Sequence, residues 1–216
     1  MLLGFVFSRG PRSETVSLTE LLRDQSSTNE IASHLDALPQ TQRIAQLHAL
    51  GSKQQAQLYE MAADSAPLSL DFFVPPEIGD EREVIHHGRN SQPAFRNFQK
   101  RWSRPTGRPG QLYGYNEAGA RPLIGPGYFV ARLSDGDGAD SRGAVVVDYF
   151  KVPEGPVPVG WPEVRPNHRG LQRFVYNNSR DYMRRVSDHC SIGVAYRHEK
   201  RLMGYFVLCR DETVDR

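Results

Sequence analysis

"GYFVARLSDGDGADSRGAVVVDYF", residues 127–150, holds two runs of aromatic and β-branched residues around a segment, 134–143, dominated by aspartate and glycine. The flanking runs have the composition of strands, and the glycines and aspartates between them supply the positive φ angles that a reversal needs. The stretch therefore reads as an antiparallel hairpin. Similar short runs lie on both sides of it: "DFFV" (71–74), "EVIHH" (83–87), "QLYGYNE" (111–117), "LQRFVY" (171–176), "SIGVAYR" (191–197) and "GYFVLCR" (204–210). Glycine, proline, asparagine or aspartate separates them, which is the signature of a meander.

Two segments break the pattern. In "PAFRNFQKRW", Phe95, Phe98 and Trp102 fall at helical steps, as do Met183, Val186 and Cys190 in "SRDYMRRVSDHC" behind Ser179 as a cap. Helices are expected near 93–102 and 179–190. Upstream, residues 1–71 read as helical. Ser17 with Glu20 and Ser27 with Glu30 form capping boxes, Pro39 opens "QTQRIAQLHAL", and a fourth run follows Gly51. The expected fold class is α+β: an N-terminal helical region, 1–71, beside a curved antiparallel sheet, 72–216, able to close as a barrel under one or two covering helices.

The chain has 216 residues, 38% hydrophobic and 24% charged, enough to bury roughly 70% of its unfolded surface without disulfides or metal. The apolar run Leu2–Phe7 is too short to span a bilayer and lacks the pattern of a secretory signal, so a cytoplasmic location and no membrane partner are expected. Cys190 and Cys209 then read as free, buried thiols. The net charge of +2 conceals −5 over residues 1–80 and +7 over 81–216. The acidic first third speaks against DNA binding by the helix–Gly51–helix segment.

"EVIHHGRNSQP" (83–93) carries adjacent histidines. On a strand, His86 and His87 point to opposite faces and cannot share one ion. The remaining histidines lack zinc spacing, and Ala139, Asp140 and Val146 occupy the wrong positions for a calcium loop starting at Asp135. No metal site is expected. No nucleophile elbow or dinucleotide fingerprint occurs either, and the sequence names no cofactor.

Polar side chains embedded in apolar strands nominate a pocket instead. Alternation puts Asp148 on one face with Val146, and Arg132 on one face with Tyr128 and Val130, so the two can pair. His86, His87, Arg89, Asn90, Tyr115, Arg197 and Arg210 add donors and acceptors, and Trp161 anchors the proline-rich segment 152–170 as a lid. The leading functional reading is a sheet-lined pocket for a small anionic or aromatic ligand. One alternative is an enzyme using a histidine of 86–87 with Asp148 or Tyr115. A second is a nucleic-acid or protein adaptor, for which residues 89–108 interleave Arg89, Arg96, Lys100, Arg101, Arg104 and Arg108 with Phe95, Phe98 and Trp102. The sequence leaves the ligand, any catalysis and the oligomeric state open.

Overall fold

The computed structural model describes residues 16–93, 95–198 and 200–212, with the backbone alone for 201–203. Eight antiparallel strands form a closed barrel in chain order, β8 returning to pair with β1. They are β1 (Val84–Asn90), β2 (Asn97–Ser103), β3 (Leu112–Glu117), β4 (Phe129–Leu133), β5 (Val145–Asp148), β6 (Ser179–Arg185), β7 (Cys190–Arg197) and β8 (Lys200–Arg210). The hairpin expected over 127–150 is β4–β5, with Val130 opposite Asp148 and Leu133 opposite Val145.

Four N-terminal helices precede the barrel: α1 (Leu18–Arg23), α2 (Thr28–Ala37), α3 (Gln40–Ala49) and α4 (Ser52–Met61). Both capping boxes form, on Ser17/Glu20 and Ser27/Glu30. Ile31, Leu35, Leu47 and Leu58 from these helices join Val146, Ile192, Val194 and Val207 from the outer wall in one apolar cluster. Buried Arg43 seals the joint. Its guanidinium donates to the carbonyls of Leu35 and Leu38, at 2.8 Å each, and pairs with Glu212. Cys190 and Cys209, opposite one another on β7 and β8, are free and buried in the same cluster.

A second cluster packs the barrel interior toward one end, including Val84, Trp102, Leu112, Phe129, Ala131, Val145, Val147, Met183 and Leu208. Gly88, Gly114 and Gly193 leave room for the rings. A Cβ on them would fall 2.6 Å from Phe98, 2.3 Å from Phe129 and 2.4 Å from Phe206. One end is plugged by the single-turn helix α5 (Leu70–Phe73), whose Phe73 stacks on Trp102 at 4.4 Å.

Four expected elements differ. Residues 97–103 and 179–185 are strands β2 and β6, not helices, because Phe98, Lys100 and Trp102, and likewise Asp181 and Met183, serve the interior at steps of two. "DFFV" is the α5 turn that delivers Phe73 to the plug. "LQRFVY" contains a 3-10 turn, Leu171–Phe174, and the carbonyls of Phe174 and Val175 accept from the Arg197 side chain rather than from the backbone of a neighbouring strand. A further short helix, α6 (Arg121–Ile124), follows β3.

Candidate functional site

At the end of the barrel away from α5, the side chains do not fill the interior. A cavity of about 150 Å³ remains, lined by Phe95, Phe98, Tyr176 and Phe206 with Asn90, Ser179, Ala195 and Ala118. Tyr176, Val175 and Phe95 are partly exposed and form its rim. A space of this size accepts a molecule comparable to benzene.

Its floor is polar. Lys100 projects inward from β2, where its neighbours across the sheet are His86 on β1 and Asn116 on β3. Lys100 as a whole is only 1% exposed. Its Nζ donates to Asp181 Oδ2 at 3.0 Å, Asn116 Oδ1 at 3.1 Å and the Tyr149 hydroxyl at 2.5 Å. Four aromatic rings surround it, with centroids at 4.9 Å (Phe129), 5.1 Å (Tyr149 and Phe206) and 6.0 Å (Phe98). Tyr149 donates onward to Asp181 Oδ2 at 3.2 Å and stacks on Tyr176. Lys100 and Tyr149 thus both donate to the same Asp181 oxygen, Oδ2.

Burial dominates the titration of this cluster. Loss of water pulls the Lys100 ammonium below its ordinary value and pushes the Asp181 carboxyl above its own, with the ion pair opposing both changes. The Tyr149 hydroxyl is held well above the usual phenol range, first by burial and then by the Asp181 charge. A buried pair of this kind adds little net stability over an apolar core, because desolvation offsets the attraction. It does give an otherwise apolar cavity one cation, one anion and a hydroxyl within hydrogen-bond reach of one another.

Of the residues nominated from sequence, Asn90 lines this cavity, donating through Nδ2 to the Phe95 carbonyl at 2.7 Å. His86 is interior but lies at the plugged end, its Nε2 on the Phe73 carbonyl at 3.0 Å, and burial takes its pKa down to about 3. His87 points outward to Asp211, so the two histidines occupy opposite faces. Asp148 and Arg132 do pair, at 3.5 Å, but on the outer wall with Arg180 at 3.3 Å. Arg89 meets Asn97 on the outer face, and Arg210 reaches the Phe72 carbonyl and His189. Tyr115, Tyr128 and Trp161 form an aromatic group outside β3 and β4, with Trp161 Nε1 donating to Glu83. The proline-rich segment thus packs on the side wall, where Asn167 bonds the carbonyls of Tyr128 and Tyr149, and does not cover the cavity.

The histidine–Asp148/Tyr115 arrangement required for the catalytic reading does not converge. The basic-aromatic run 89–108 is also divided: Phe98, Lys100 and Trp102 face inward, while Arg101, Arg104 and Arg108 pair with Glu83, Asp71 and Glu154. Among the described residues no cluster of three His, Cys, Asp or Glu could hold a metal, and no helix is long and apolar enough to cross a membrane.

No family model, curated protein or solved structure matches the chain. The chemistry of Lys100, Asp181, Tyr149 and Asn116 is the ground for a functional reading.

Proposed function

We propose that the protein binds a small, mostly apolar molecule carrying one polar group, inserted between Phe98, Tyr176 and Phe206 with its polar end at Lys100 and Asp181. The observation that carries this reading is an open cavity in the barrel end whose floor sets the Lys100 amine, the Asp181 carboxylate and the Tyr149 hydroxyl within hydrogen-bond reach of one another. A few convergent polar groups at the bottom of an apolar cavity are the usual make-up of a small-molecule site, where they fix the orientation of the bound molecule. The rim supports the same reading. Phe95 sits at φ 53°, a costly conformation for a bulky side chain, and such strain gathers at binding sites.

Ala195 lies opposite Asp181 across β6–β7, so a large side chain there occupies the ligand's space. Titration with benzyl alcohol, followed by thermal unfolding, tests the reading. At one hundred times its Kd the ligand is expected to stabilise the protein by about 2.7 kcal/mol, and Ala195→Phe is expected to abolish that gain while keeping the folded spectrum. A chain whose unfolding ignores a panel of benzene-sized alcohols, amines and aldehydes would leave the cavity without a ligand role.

A further inference from the structure

We propose that Lys100 captures an aldehyde covalently, forming an imine whose cation is held by Asp181 and the surrounding rings. The inference rests on the binding reading above and specifies its substrate class. Three features of the floor carry it. First, an amine at the bottom of an apolar cavity has its carboxylate proton acceptor 3.0 Å away, so the nucleophilic neutral form is reached by a short proton transfer to Asp181. Second, the rings of Phe129, Tyr149 and Phe206, at 4.9–5.1 Å from Nζ, attract an iminium as they attract an ammonium. Third, walls of phenylalanine and tyrosine limit water, which would reverse the reaction.

The bookkeeping closes without an added oxidant or reductant. Nζ attacks the carbonyl carbon, the C=O π pair moves to oxygen, and that oxygen takes the proton parked on Asp181. Nitrogen then returns a proton to Asp181, which passes it to the hydroxyl, and the C–O bond breaks to release water. Ammonium plus aldehyde becomes iminium plus water, and Asp181 is a carboxylate at the start and at the end. Tyr149 and Asn116, both within 3.1 Å of Nζ, stand where they can bond the carbinolamine oxygen.

The test uses the whole chain with benzaldehyde and cyanoborohydride at neutral pH, followed by peptide mapping. The sequence has only four lysines, Lys53, Lys100, Lys151 and Lys200, so the map is short, and the other three are exposed. A benzyl group is expected on Lys100 at about tenfold or more the occupancy of any exposed lysine, because an aldehyde bound in the cavity is held beside Nζ and proximity of this kind raises the effective concentration of the reacting partner by far more than that. Excess benzyl alcohol should protect Lys100 alone, and Lys100→Arg should remove that adduct. Labelling confined to Lys53, Lys151 and Lys200, or spread evenly over all four, overturns the proposal. Benzyl alcohol binding in the cavity without an adduct on Lys100 overturns covalent capture and leaves the binding reading standing; no binding and no adduct overturns both.

Discussion

His86 is held uncharged by its surroundings, and this makes the plugged end of the barrel sensitive to acid. Its ring is fully buried between Phe73, Phe72 and Trp102, with Nε2 on the Phe73 carbonyl. The folded pKa is about 3 against an ordinary 6.5. The unfolded chain therefore binds a proton at His86 that the folded chain refuses, and between these two values stability rises with pH. Acidification from about pH 6.5 toward 3 removes stability at up to about 1.4 kcal/mol per pH unit from this residue, on the order of 5 kcal/mol across the window. Burial lowers His48 and His189 as well, and they add in the same direction. His86→Leu is expected to flatten the dependence of the urea midpoint on pH by about one proton; an unchanged slope would mean that His86 does not titrate on unfolding. Lys100 and Asp181 obey different rules, because each is the other's counter-charge. Lys100→Met alone should destabilise by about 3–5 kcal/mol by stranding a buried carboxylate, whereas Lys100→Met with Asp181→Leu should recover most of that loss. Chemical denaturation of the three chains gives the comparison, and equal losses in the single and double variants would show that the pair is not coupled.

A strand of this barrel is recognisable in sequence where its two faces differ in kind, and is disguised where they do not. β4 and β5 were legible because the turn between them spells out its own geometry, with Asp135 and Gly136 in the left-handed region. β2 was not, since Phe95, Phe98 and Trp102 are spaced by three and four, which matches a helix, while Phe98, Lys100 and Trp102 are spaced by two, which matches a strand. Local spacing does not choose between these patterns; pairing with β1 and β3 does. β6 was misread for a similar reason. Met183 faces the barrel interior, but Val186 and Cys190 pack beneath the helices, so their apolar character marks two surfaces and not one helical stripe. The candidate site is hidden with these two strands, because a helical spacing over 93–102 and 179–190 gives Lys100 and Asp181 no common face, and only the strand pairing brings them together. Asn90 is legible in sequence as a polar side chain just beyond Gly88, although β1 runs on through it to the barrel end. Interior glycines add a constraint that composition does not reveal. A Cβ at Gly114 would stand 2.3 Å from the Phe129 ring and 2.4 Å from the Arg101 carbonyl, whereas at Gly204 the nearest atom is 3.7 Å away, on Gln92. Gly114→Ala is expected to cost about 1–3 kcal/mol through overpacking against backbone, and Gly204→Ala to stay within about 0.5 kcal/mol of the parent. Similar melting temperatures for the two variants would argue against the close β2–β3–β4 packing.

Across the whole molecule, the barrel wall is apolar on both sides over β5–β8, and this ties the helices to the barrel energetically. Val146, Tyr182, Ile192, Val194 and Val207 face outward yet are buried, because α1–α4 cover them, while the alternate residues Val145, Val147, Met183 and Leu208 fill the interior. The same strands thus belong to two cores. Loosening the helices would expose that outer wall to water, and opening the barrel would remove the surface on which the helices' own leucines pack; each cluster is stabilised by the integrity of the other. On this argument the helical region and the barrel unfold as one cooperative unit. Leu47→Ala, in α3, removes a fully buried side chain from the outer cluster and is expected to cost about 2–5 kcal/mol. The loss should appear at one denaturant midpoint whether unfolding is followed by helical circular dichroism or, in a Trp161→Phe background, by fluorescence of Trp102, which belongs to the interior cluster and not to the one that α3 joins. If the helical signal moved to lower denaturant while the tryptophan signal stayed in place, the helices would be an independent cap and the shared-wall argument would fail.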